Sequence, residues 1–213
     1  MRRALVIAVD GPAASGKGTI ANGLAVNYGL PCLDTGLLYR AVGVMALKAA
    51  GAVHQDSATA AALALDPTHL DDPALRTRAA GELASQAAVF QDVRAALLDF
   101  QRQFAAQAGG AVLDGRDIGT VICPGAPAKI FVTATPEVRA ERRFKQLIAQ
   151  GEGVTYEDIL ADILLRDERD SHRSAAPLVQ AKDAQLLDTS KMTISQAADA
   201  ARRIVEAART RLG

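Results

Sequence analysis

Five short apolar runs punctuate the chain. Ala4 to Val9 is unbroken and ends in Asp10-Gly11-Pro12. Shorter runs recur at Leu30 to Leu33, Ala111-Val112-Leu113, Lys129-Ile130-Phe131-Val132 and Gln185-Leu186-Leu187. Their hydrophobicity is continuous rather than alternating, as expected of strands covered on both faces of a parallel sheet. Helical periodicity between and after them predicts helices over Gly16–Tyr28, Leu37–Ala50, Phe90–Ala108, Pro136–Gln150 and Thr193–Leu212. Pro136 stands where a first-turn proline belongs, after Thr135 as N-cap. Thr155 with Asp158 marks one more helix start. Strands alternating with helices predict an α/β fold: a five-stranded parallel sheet, helices on both faces, right-handed crossovers. From Ala49 to Pro73 the chain is Ala-rich, then Pro- and Asp-rich, with no strong period. That stretch reads as an inserted, loosely structured segment.

Composition narrows the class. The 213 residues carry 24 Lys and Arg against 24 Asp and Glu, a formal net charge of zero. A protein that coats nucleic acid or an anionic membrane is expected to be basic. The absence of Trp and an aromatic content of 4% argue against base-stacking platforms. With 49% hydrophobic and 23% charged residues the chain suits one folded domain with a sizeable core. Alanine makes up about a fifth of it, which favours helices. Arg2-Arg3 before the first apolar run mimics a secretory signal, but the run is too short and Asp10 interrupts it. No stretch approaches the roughly 18 apolar residues of a membrane helix. Cys32 and Cys123 fit no metal or redox spacing and read as small hydrophobes in a reducing compartment. A cytoplasmic location is the expectation.

The chemistry begins at Gly11-Pro12-Ala13-Ala14-Ser15-Gly16-Lys17-Gly18-Thr19. Gly11, Gly16 and Lys17 have the spacing of a phosphate-binding P-loop, placed between a buried strand and a helix. Successive backbone N–H groups wrap a polyphosphate there, which requires glycines where the backbone approaches closely. The helix N-terminus adds partial positive charge, and Lys17 reaches the β- and γ-phosphates. The general motif ends in Lys followed by Ser or Thr; here Gly18 intervenes. Direct magnesium ligation therefore shifts to Thr19 as substitute candidate, and no metal ligand is certain.

Arginines mark the second anion. Arg40 lies one turn into a helix after Asp34-Thr35-Gly36, and Asp114-Gly115-Arg116-Asp117 follows a buried strand, where open α/β sheets bind ligands. In Arg166-Asp167-Glu168-Arg169-Asp170-Ser171-His172-Arg173, residues Arg166, Asp170 and Arg173 fall within about 60° on a helical wheel, with Arg169 flanking. Such a stripe also suits a solvated, salt-bridged face. Next to a P-loop it reads as planar, bidentate recognition of phosphate. His172 reads as a bystander; His54 and His69 carry no signal.

Taken together these residues resemble the bacterial cytidylate kinase family. The resemblance runs through the P-loop, Leu33 to Gly36 with Tyr39-Arg40, Ala84-Ser85-Gln86, Val93-Arg94, Asp114 to Thr120, and Arg166 to Arg173 with Ala176-Pro177-Leu178. It implies a P-loop kinase core at about 1–35 and 110–213, an acceptor-binding insertion at about 36–109 and a lid at about 142–173. It implies ATP as donor, Mg²⁺, CMP or dCMP as acceptor, and a monomer without nucleic-acid or membrane partners. Carried over by position, Arg40, Arg116 and Arg173 grip the acceptor phosphate and join Lys17 as catalytic residues. Thr35 sits beside that phosphate; Ser85, Arg94 and Asp117 read the cytosine; Arg166 and Asp170 hold the sugar. A carboxylate accepts from the cytosine amino group and repels the uracil carbonyl, so Asp117 is the expected discriminator. One of Arg139, Arg142 and Arg143 is expected to face ATP. The stretch Leu65 to Leu75 is shorter than in the family and leaves no room for its small antiparallel sheet. Arg76, just after that gap, still fits the family pattern. Other readings of the same loop are a kinase of UMP or of a hydroxyl acceptor such as shikimate, with Asp117 or Asp34 as base, and a nucleotide-binding switch.

Overall fold

The computed structural model describes residues 4–211. Arg2 and Arg3, and the predicted helix end at Leu212, lie outside the described residues. The five apolar runs form strands β1 (Leu5–Asp10), β2 (Cys32–Asp34), β3 (Gly110–Gly115), β4 (Ala128–Thr133) and β5 (Gln185–Asp188). They pair in the order β2-β3-β1-β4-β5, every pair parallel. Alternation explains why the runs are continuous. Ile7 and Val9 bury into the layer of α1 (Lys17–Tyr28) and α8 (Ile194–Thr210), while Ala8 between them buries into the opposite layer. Both faces are covered, so both parities must be apolar.

The opposite layer holds α2 (Thr35–Ala50), α3 (Gln55–Leu63), α4 (Arg78–Ala87) and α5 (Gln91–Ala105), packed around Leu38, Val42, Val93 and Leu113. Two further helices, α6 (Pro136–Ala149) and α7 (Tyr156–His172), pair over a small separate core of Ala140, Leu147, Ile159 and Ile163. As expected, Thr135 and Thr155 cap them, accepting from Val138 and Asp158 amides.

One expectation is corrected, and one helix has no counterpart in the predicted pattern. Ala49 to Pro73 is not loosely structured: α3 occupies its middle. Ser57 Oγ accepts from the His54 amide at 3.1 Å and starts the helix, and Ala58, Ala61 and Ala62 are buried. The i, i+3, i+4 spacing was present, but alanine also fills the exposed positions, so no apolar stripe stood out. Helix α4 was likewise not read as a helix. Beyond α3, the Leu65 to Leu75 stretch holds single 3-10 turns begun by Pro67 and Pro73, and no strand. Among the described residues no single helix is long and apolar enough to cross a membrane. α2 and α3 reach that length only together, bent by 119°, and both pack into the core.

Register carries the fold to the site. Asp34 pairs with Asp114, and Asp10 with Gly115. Three neighbouring strands therefore carry an acid at the last or next-to-last position, at the carboxyl edge from which α1, α2 and the Arg116 segment depart.

Candidate active site

Gly11 leaves β1 with φ +152°, and a side chain there would meet the Val132 carbonyl oxygen at 2.0 Å. Gly16 (φ +90°) begins α1 without a side-chain cap, leaving the first-turn amides free for an anion. Lys17 returns over the loop, its Nζ 3.5 Å from the Pro12 carbonyl oxygen and 3.8 Å from Asp114 Oδ1. Burial, with Arg116 nearby, pulls this amine below its usual range, although Asp114 and Asp34 oppose the shift. Burial pushes the Asp114 carboxyl up. The missing hydroxyl at position 18 gains a physical reason here. A side chain on Gly18 would crowd Asp114 Oδ2 at 3.2 Å.

Asp10 serves a different purpose. Its two oxygens accept from the Ile118 and Gly119 amides, each at 2.7 Å. One buried carboxylate thus fastens the start of the P-loop to the turn after Asp114-Gly115-Arg116-Asp117. Burial raises it to about 6, against those two amides, with Asp117 and Asp114 adding repulsion. Sequence reading missed this residue because the clamp joins positions 108 apart.

The predicted acceptor-side residues converge as an alternating ion network. Asp170 pairs with Arg116 at 2.9 Å, Arg173 at 3.8 Å and Arg166 at 4.0 Å. Asp117 pairs closely with Arg94 and lies 4.0 Å from Arg173. Burial pushes Asp170 up, but the three arginines outweigh it and hold it below the usual carboxylate range. Burial and then Arg116 bring Arg166 down to about 10. Arg94 also lies 5.6 Å from the Tyr39 ring. Arg173 does not extend the helical stripe as expected: α7 ends at His172 and Arg173 is its extended C-cap, its Nε donating to the Ala176 carbonyl at 2.6 Å. Thr35 spends its hydroxyl on the Asp114 carbonyl oxygen at 2.8 Å. His172 is exposed, with Nδ1 3.0 Å from the Glu168 carbonyl oxygen.

A cleft of about 660 Å³ opens between the P-loop, α4 and α7. Ala13, Ala14, Gly16, Lys17, Gly18 and Thr19 line it together with Arg40, Arg76, Arg78, Arg116, Arg143 and Arg166, and with Asp34 and Asp114. Gly11, Pro12, Ser15, Thr35, Ser85, Arg94, Asp117, Asp170 and Arg173 do not line it. All nine are buried. Arg40 donates to the Leu75 and Thr77 carbonyls at 2.8 and 3.1 Å. Gly81 leaves room beside it: an added side chain would meet Arg40 at 3.4 Å and Arg166 at 3.5 Å.

The three α6 arginines separate by role. Arg139 is buried against Asp167 and donates to the Ala13 carbonyl at 3.2 Å. Arg142 donates to the Ser15 carbonyl at 3.3 Å and to Thr189. Both brace the P-loop from behind. Arg143 alone of the three lines the cleft. The i, i+3, i+4 spacing showed a shared face without showing which guanidinium was free.

The cytidylate kinase family model matches residues 7–208. A cytidylate kinase of Caulobacter vibrioides (strain NA1000 / CB15N) is 67% identical over 207 residues, 97% of each chain. One of Xanthobacter autotrophicus is 66% identical over 206 residues, 96% of this chain and 99% of its own. Among solved structures, an uncharacterized protein from Eubacterium ventriosum superposes with TM-score 0.58 at 17% identity, covering 95% of this chain and 98% of its own. An unliganded sugar kinase from Janibacter sp. HTCC2649 gives 0.52 at 16%, covering 98% of both chains. These two likenesses show a shared fold. Matched over nearly its whole length by the family model and by these relatives, the chain belongs to the cytidylate kinase family.

Proposed function

We propose that this chain is a nucleoside-monophosphate kinase that transfers the γ-phosphoryl group of ATP to CMP or dCMP, giving ADP and the nucleoside diphosphate. One observation carries the reading beyond family membership. A phosphate loop and six arginines line a single cleft at the carboxyl edge of the sheet. Two anions brought together there need cations around both.

In this reading the P-loop amides and Lys17 hold the β- and γ-phosphates. Arg40, Arg116 and Arg173 hold the acceptor phosphate, with Thr35 keeping the Arg116 strand in place. Arg166 and Asp170 hold the sugar; Ser85, Arg94 and Asp117 read the base. Arg143 is the lid arginine for the donor phosphates, since Arg139 and Arg142 are spent on the P-loop. An acceptor phosphate oxygen attacks the γ-phosphorus in line and ADP leaves. That oxygen is already ionised near neutral pH, so no general base is used. Catalysis is positioning and charge stabilisation in a cleft closed to water.

The donor set fits Mg²⁺ brought in with ATP. Asp114 Oδ1 is buried and accepts no hydrogen bond, and Thr19 and Asp34 add hard oxygen donors on the same cleft. Among the described residues no cluster of three or more acidic, His or Cys side chains forms a cage of its own. Asp114 and Thr19 would hold the ion, which offsets charge on the β- and γ-phosphates. The segment at about 36–109 acts as acceptor arm and that at about 142–173 as lid. A cytoplasmic location, supported by two unpaired, half-buried cysteines, and a monomeric state complete the reading.

A coupled ADP assay with CMP, dCMP, UMP, AMP and shikimate tests it. CMP or dCMP is expected to turn over at least tenfold faster than the rest. Equal rates with UMP or AMP, or a preference for shikimate, would refute it.

A further inference from the structure

Arg169 was read from sequence only as a flank of the arginine stripe. In the structure it leaves the lid helix α7 and reaches the acceptor-side helix α4. Its Nη1 donates to Glu82 Oε1 and to Ser85 Oγ, each at 2.9 Å. Ser85 is 3% exposed. A serine hydroxyl has one hydrogen to give and two lone pairs to receive with. Arg169 gives no acceptor, so it occupies one of the two lone pairs and leaves the hydrogen unspent, and its positive charge strengthens the O–H as a donor while weakening the remaining lone pair. Among the described residues that hydrogen has no acceptor, a buried donor waiting for a partner.

The donor matters because of what the base presents. Cytosine offers an acceptor at N3 beside a donor amino group; uracil offers the reverse, an N3–H donor beside a carbonyl. A site with Ser85 held as donor and Asp117 as acceptor matches the first pattern and opposes the second at both positions. Without Arg169 both lone pairs are open, and the hydroxyl accepts from uracil as readily as it donates to cytosine. The bond also spans two elements, α7 and α4, so it exists only while the lid helix lies against the acceptor helix.

We propose that Arg169 is a positioning residue for base selection, which biases the Ser85 hydroxyl toward donating and so makes discrimination of cytosine from uracil depend on the lid being down. This rests on the reading in which Ser85 and Asp117 face the base.

The test measures kcat and KM of the full-length enzyme for CMP and for UMP at saturating ATP. Arg169→Ala is expected to lower the CMP-to-UMP ratio of kcat/KM about tenfold, the scale of one charge-assisted hydrogen bond, mainly through KM for CMP. Arg169→Lys, which still donates, is expected to recover part of that loss. On a Ser85→Ala background, Arg169→Ala is expected to lower the ratio no further. Glu82→Gln keeps the Ser85 bond and is expected to move the ratio less than twofold. Equal losses for CMP and UMP in Arg169→Ala would make Arg169 a mere strut and overturn the proposal. A Glu82→Gln loss as large as that of Arg169→Ala would overturn it as well. If Ser85→Ala lowers the ratio and Arg169→Ala does not, this proposal fails alone. If Ser85→Ala leaves the ratio unchanged, the base-reading assignment fails and takes the proposal with it. Should Arg169→Ala not fold, Arg169→Met keeps the length of the side chain without any donor and carries the same comparison.

Discussion

Lys17 shows how one side chain depends on its surroundings. It was legible from the P-loop spacing, but only the structure brings Asp114 within 3.8 Å to keep its charge in a buried site. Lys17→Ala is expected to lower kcat by about a hundred- to thousandfold with the fold retained, checked by ADP release and circular dichroism. Turnover near the wild-type rate would remove Lys17 from the phosphate site. Asp10 is the converse case, an ordinary strand-end acid in sequence and a two-pronged clamp in space. Its carboxyl is raised from 3.8 to about 6, so between those values the folded chain keeps a proton that the unfolded chain has released. Stability from this group is therefore present below about pH 4 and lost as pH rises through about 6. The full shift is worth roughly 3 kcal/mol. Asp10→Asn removes the titration, so wild type is expected to gain stability relative to the variant as pH falls from 7 to 4. Urea midpoints across that range test it, and parallel curves would rule it out.

Among the elements, legibility followed side-chain contrast. Helices α6 and α7 announced themselves through Thr135-Pro136 and Thr155, because caps are local chemistry. Helix α3 did not, because alanine on both faces gives burial without contrast. The α6–α7 pair is tied to the core by charge as well as by packing. Arg139 is 3% exposed and rests on Asp167 while bracing Ala13. Asp167→Ala leaves a buried guanidinium without its carboxylate and is expected to cost about 3 kcal/mol, measured by chemical denaturation. A loss under about 1 kcal/mol would show that solvent replaces Asp167, which is itself partly exposed.

For the whole molecule, zero net charge is an average over a divided surface. Positive charge converges at the cleft from the P-loop, α2, the Arg116 turn and α7, and Asp117 and Asp170 stand among those arginines to balance them. Arg78–Asp162 at 2.6 Å and Arg169–Glu82 at 2.9 Å link α4 to α7. Hydrogen exchange in 78–87 and 156–172 is expected to slow most with CMP and a non-hydrolysable ATP analogue together. Equal protection by either nucleotide alone would show that closure does not need both. By itself the sequence determined the strand runs, most helices, the phosphate loop and the residue types that answer it, because periodicity, capping and loop glycines act over a few residues. Tertiary structure alone decided that Asp10 clamps a turn 108 positions away, that Arg143 rather than Arg139 or Arg142 faces the cleft, and that Arg169 reaches Ser85. Those outcomes depend on which distant groups share a buried space, where each charge must find a partner, and no short stretch of sequence carries that information.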